Sequence, residues 1–221
     1  MPTLTHVHVL PDSHWLSYLQ LKMRDRSADL ATFTHHANQV IRLLLQNAAQ
    51  LLPCTNDAVT TPISDRFSGN VLTRKICGVS VISAGESMEA EFRSMFPDHP
   101  ISKILIQRDK ESKLPHYFYS HLPQGIAGMS VMLFEPMLAT GGSLLKAIDV
   151  LKESGVAVEN IIVVNVLASP YGLQRLTETW PELKIVTSSV EKGMTESAFM
   201  RPGIGDFGDR YFGTYPGASH E

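Results

Sequence analysis

The chain has 221 residues, 43% of them hydrophobic, which predicts one globular domain with an ordinary core at ~150 residues per domain. Its 19 Lys plus Arg against 22 Asp plus Glu leave a net charge of -3, a balance without the basic excess of a dedicated nucleic-acid binder. No apolar run reaches about 18 residues, so no membrane span is expected. The N-terminus lacks a basic region followed by an apolar core, so the expected setting is cytoplasmic.

In chain order, residues 1–30 are mixed and polar and read as an N-terminal arm with a short helix from Trp15 to Met23. Residues 31–221 read as the main domain. A strong helix follows the arm, because Ala37, Val40, Ile41, Leu44, Leu45, Ala48, Leu51 and Leu52 recur at helical spacing until Pro53 ends the run. Residues 77–83 (CGVSVIS) read as a buried strand, Gly85 turns the chain, and a helix is expected from Glu86 to Met95. Strands follow at 103–107 and 129–134, then a helix at 143–154 closed by Gly155. IIVVNVLA (161–168) is a further apolar strand, followed by a helix near 171–179 and a strand at 184–189. The stretch 108–123, with Tyr117, Phe118 and Tyr119 between polar residues, reads as a hairpin or flap. Strands alternating with helices predict an α/β fold with a mostly parallel sheet covered on both faces. Ligands then belong at the carboxyl ends of the strands.

The chemistry concentrates in two loops. After the strand at 129–134 come Glu135, Pro136, Met137, Leu138, Ala139, Thr140, Gly141, Gly142 and Ser143, and then a helix. Glycines at a helix N-terminus let backbone N–H groups converge, and the helix end adds positive potential, so the layout suits a phosphate monoester. Glu135 beside it suits ribose hydroxyls or a metal-bound water. The same letters also suit a plain helix cap with a Gly-Gly turn; the place between strand and helix favours the cradle. It is not a Walker loop, because no Gly-Lys-Ser/Thr follows. The second loop, 203–208, spells G-x-G-x-x-G, yet it follows Arg201-Pro202 and leaves 13 residues, too few for a second βαβ half. It reads instead as a rigid loop offering main-chain donors and acceptors to a flat polar ring.

Other features carry less. Two cysteines, Cys54 and Cys77, build neither a disulfide framework nor a zinc site and are expected to be buried. His35 and His36 point apart on a helix. Glu86, Glu89 and Glu91 are expected on a solvated first helical turn, and no metal site is expected.

VTTP (59–62), AGESMEAEFR (84–93), KILIQRD (103–109), EPMLATGGS (135–143) and PGIGDFGDRYFGT (202–214), in that order along the chain, resemble the uracil phosphoribosyltransferases, nearest the eukaryotic type. The resemblance runs from about residue 24 to 214. It implies a phosphoribosyltransferase-type sheet with a small hood made by the C-terminal segment and the N-terminal arm. It also implies transfer of phosphoribose from phosphoribosyl pyrophosphate (PRPP) to uracil with Mg2+, in a homodimer or homotetramer. By resemblance, Thr140, Gly141, Gly142 and Ser143 hold the 5′-phosphate, Met137, Leu138 and Ala139 before them belong to the substrate site, Glu135 grips the ribose hydroxyls, Arg108 meets PRPP, the main chain at Met200 and at Gly205 to Phe207 binds uracil, and Asp206 also faces PRPP.

Two positions depart from the family. Ser83 stands where the family has an arginine that contacts PRPP, and serine cannot make a charged bidentate contact. Glu135 replaces an aspartate and adds one methylene. Compensation by Arg74, Lys75 or Lys103 would leave an ordinary transferase. Without it, the resemblance implies a diverged homologue that has lost efficient use of PRPP and acts on another small molecule or as a binding protein.

Overall fold

The computed structural model describes residues 6–108, 115–196 and 198–214, with Arg108 described by its backbone only. Chain order runs β1 (Val7–Val9), α1 (His14–Arg24), α2 (Leu30–Ala49), β2 (Cys54–Thr60), β3 (Arg66–Leu72), β4 (Ile76–Ile82), α3 (Glu89–Met95), β5 (Ile101–Arg108) and β6 (Pro115–His121). It continues β7 (Ser130–Phe134), β8 (Met137–Leu138), α4 (Gly142–Glu153), β9 (Ile161–Ala168), α5 (Pro170–Thr179), β10 (Lys184–Val190), β11 (Gly193–Met194), β12 (Met200–Arg201) and α6 (Phe207–Phe212).

The central sheet has the order β1-β10-β9-β7-β4-β5-β6, parallel except for β6, and β8 adds to β9. Every residue of β9 is buried, so its side chains alternate between two cores rather than between core and water. Ile162, Val164 and Val166 join Phe33, Ala37, Ile41 and Leu44 of α2 on one face. Ile161 and Val163 join Leu144, Ile148 and Leu151 of α4 and Leu173 and Leu176 of α5 on the other. The expected α/β sheet, covered on both faces, is what the chain forms. The arm contributes to it directly: β1 pairs with β10, and α1 packs on α2 through Leu16, Leu19 and Met23.

Four expectations are corrected. The helix expected from Glu86 is split into a 3-10 turn, Ala84–Met88, and α3 from Glu89. The antiparallel hairpin β2–β3 was not foreseen, because neither strand packs a face on the core and neither needs apolar alternation. Cys54, the first residue of that hairpin, is therefore exposed, whereas Cys77 is buried as expected. The three glutamates do not form a solvated face. Glu91 is buried against Arg42 at 2.8 Å, and Glu86 and Glu89 both pair with Lys103. Residues 109–114, the tip of the expected flap, lie outside the described residues; β5 and β6 on either side of them pair antiparallel.

Candidate active site

The chain leaves β4 for β5 on one side and returns to β4's other side at β7. Such a reversal opens a crevice at the carboxyl ends of the two strands. Ser83 and Ala84 follow β4 there, and Glu135 follows β7.

The backbone after β7 is held from beneath by a buried polar ladder. Asn165, the one polar residue in β9, donates through Nδ2 to the carbonyls of Glu135 (2.9 Å) and Pro136 (3.0 Å). Thr187 of β10 donates to Asn165 Oδ1 at 2.8 Å. Ser169 Oγ donates to the Ala139 carbonyl at 2.5 Å, and Arg175 donates to the Thr140 carbonyl at 3.1 Å. The loop thus reaches α4 already ordered. Gly141 is the N-cap residue at φ 74, a left-handed conformation that favours glycine, and no side chain caps the helix. The first N–H groups of a 12-residue helix are left for an anion.

The second loop closes the crevice from the opposite side. Met200 and Phe207 are buried, and Phe207 packs between Phe33 and Tyr211. Asp206 accepts the Asp209 N–H at 2.9 Å and so starts α6. Gly203 sits at φ 66, and a Cβ there would lie 2.2 Å from the Met200 carbonyl oxygen, so only glycine fits.

The two loops meet. A cavity of about 360 Å³ is lined by Glu135, Met137, Ala139 and Ser143 from one side and by Met200, Gly205, Asp206 and Phe207 from the other. An adjoining space of about 490 Å³ runs to Ser83 and shares Ala84, Glu135, Ser143, Asp206 and Gly208 with the first. Thr140, Gly141 and Gly142 build the helix end beside this cleft without lining it. Leu138 turns into the α4–α5 core. The Arg108 side chain lies outside the described residues; its backbone ends β5 opposite Pro115. Ala198 and Phe199 also line the cleft and were not anticipated, since nothing in their residue types marks them.

The Ser83 end is acidic. Glu86, Glu135, Asp206 and Asp209 line it, and no Lys or Arg does among the described residues. Arg74, Lys75 and Lys103, the cations considered as substitutes for an arginine at position 83, do not line this space. Arg74 and Lys75 precede β4, roughly 25 Å from its carboxyl end at ~3.3 Å per residue. Lys103 is held by Glu86 and Glu89, and the hydrogen bond it donates to Glu86 is the largest of the causes that raise its pKa above the ordinary value.

The family model described as Uracil phosphoribosyltransferase matches residues 10–214. The chain belongs to the uracil phosphoribosyltransferase family. It is 42% identical over 209 residues to the uracil phosphoribosyltransferase of Dictyostelium discoideum, covering 95% of this chain and 97% of that protein. Among solved structures, AQ2163 protein from Aquifex aeolicus superposes with a TM-score of 0.81 at 26% identity, covering 93% of this chain and 97% of that one. Adenine phosphoribosyl transferase from Trypanosoma brucei shares the fold with a TM-score of 0.56 at 13% identity, over 90% of this chain and 89% of that one. This uracil phosphoribosyltransferase family member shares its fold with solved structures over nearly its whole length. No group of three metal-ligating side chains gathers among its described residues.

Proposed function

We propose that this protein transfers the phosphoribosyl group of PRPP to uracil, forming uridine monophosphate and pyrophosphate. The observation that carries this reading is the shared cleft, which sets the uncapped N-terminus of α4 and the 200–207 loop around one space. In this reading the helix end takes the 5′-phosphate and Glu135 the ribose hydroxyls. Met200, Gly205 and Phe207 offer main-chain groups to the uracil ring, and pyrophosphate leaves past Ser83. The bond from C1′ to the pyrophosphate oxygen breaks, and the bond from C1′ to uracil N1 forms as N1 loses its proton. The sugar carries positive charge between these events. The carboxylates of Glu135 and Asp206, fixed beside it, favour that charge without reorganising. Positioning two substrates in one cleft supplies much of the rest.

Mg2+ fits this donor set as an ion carried in by its substrate. The ion binds through one or two carboxylates plus substrate phosphates and keeps several waters, so it needs no protein cage. Glu135 and Asp206 are the carboxylates that would meet it, and the ion would offset phosphate charge that Ser83 does not. The exposed Val59, Ile63, Phe67, Val71 and Leu72 on and between β2 and β3 support a homodimer or homotetramer, which light scattering would measure. A cytoplasmic setting belongs to the same reading; among the described residues no helix is long and apolar enough to cross a membrane.

Incubation with uracil, PRPP and Mg2+ tests the activity. Uridine monophosphate should form, and no turnover above a heat-killed control would reject it. The acidic Ser83 end favours a second reading, a homologue with weakened PRPP use, and restoring the arginine separates the two.

A further inference from the structure

A half-buried ion pair lies behind the 200–207 loop, outside the cleft, its carboxylate enclosed and its guanidinium partly exposed. Glu191, just past β10, is 3% exposed, and Arg24 is the last residue of α1. They pair side by side, Arg24 Nη2 with Glu191 Oε1 at 2.6 Å and Nη1 with Oε2 at 3.1 Å. Both then grip Gly203. The Gly203 N–H donates to Glu191 Oε2 at 2.6 Å, and Arg24 Nη1 donates to the Gly203 carbonyl at 3.0 Å. Burial alone would raise the Glu191 carboxyl, but Arg24 and the Gly203 N–H hold it below its ordinary value, so it stays charged. Arg210 adds a second fastening, donating to the carbonyls of Ile204 (2.9 Å), Met23 (2.7 Å) and Asp25 (2.7 Å). The loop that closes the base end of the cleft is therefore tied to the end of α1. The phosphate loop rests on other supports, Asn165 and Ser169.

We infer that the Arg24–Glu191 pair is a positioning device that sets the base-binding loop through both polar groups of Gly203, and so governs uracil recognition more strongly than PRPP binding, which this loop meets through Asp206 alone. This rests on the proposed transferase reading. Losing the carboxylate takes away the acceptor of the Gly203 N–H and leaves Arg24 without its charge partner, so both holds on Gly203 weaken together. Supports of this kind set ligand groups that they never touch, and a displacement of about 1 Å from such a loss can cost about 100-fold.

The test uses the whole chain with Glu191→Gln, Arg24→Ala and the conservative Arg24→Lys. Calorimetry with PRPP and with uridine monophosphate is combined with steady-state KM values for uracil and PRPP, and with amide exchange at Gly203. In Glu191→Gln and Arg24→Ala the KM for uracil should rise about 10- to 100-fold, with PRPP affinity falling several-fold less and faster exchange at Gly203. Arg24→Lys should recover part of the uracil KM. A lower melting temperature with both KM values unchanged, or both raised in parallel, would overturn the inference. PRPP binding reports whether each variant is folded. If the native chain turns over no uracil, the transferase reading fails. In that case, Gly203 exchange unchanged in Glu191→Gln still refutes the positioning role, and faster exchange supports it.

Discussion

Ser83→Arg is the substitution on which the two functional readings disagree most. Ser83 is exposed at the mouth of a space of about 490 Å³, so a guanidinium has room there without displacing the core. The present lining offers a pyrophosphate four carboxylates and no cation among the described residues. One charge-assisted hydrogen bond contributes about 1.5–3 kcal/mol. At about 1.4 kcal/mol per tenfold, that is roughly 10- to 150-fold in PRPP affinity. Solvent screening at an exposed position places the expectation toward the lower end, about 10-fold. Calorimetric titration with PRPP and Mg2+ measures it, with Ser83→Gln as a variant of added length and no charge. Arginine should tighten binding and glutamine should not. Equal affinity in native protein and Ser83→Arg would refute the charge argument. It would mean that the cleft already neutralises pyrophosphate by another route.

Replacing Asn165 by Leu should lower stability by about 1–3 kcal/mol in urea denaturation, because the Glu135 carbonyl loses the Asn165 donor and Thr187 loses its Asn165 acceptor, whereas the Pro136 carbonyl keeps the N–H groups of Val166 and Leu167. It should also weaken PRPP binding, since the loop into α4 loses its support. Ala198 adopts φ 63, which costs a non-glycine residue about 1–2 kcal/mol. Ala198→Gly should therefore stabilise the fold by about 0.5–1 kcal/mol after the added entropy of the unfolded chain, read as a higher urea midpoint. Because the Glu191 carboxyl is held below its ordinary value, its contribution is complete above about pH 4.3 and is lost as pH falls through the lower, folded value. Acid unfolding followed by circular dichroism should show that loss, and Glu191→Gln should flatten it.

The periodic elements and their chemistry were legible locally. The apolar run of β9 and the helical spacing of α2 each declare their class because burial on two faces, or on one stripe, imposes a residue pattern. Strand, glycines and helix at 129–154 likewise mark a phosphate cradle, because a backbone anion site is built from neighbours in sequence. Tertiary contacts decided the rest. The Gly203 loop could be told from a dinucleotide motif by its context, but that it faces Glu135 across one cleft follows from the order of β4, β5 and β7. Whether Arg74, Lys75 or Lys103 could stand in for an arginine at position 83 was likewise a spatial question, answered by the far end of β4 and by Glu86 and Glu89. Arg24 and Glu191 lie 167 residues apart and carry no motif. An ion pair is set by where two side chains meet, and distance along the chain says nothing about that until the sheet has brought α1 beside the end of β10.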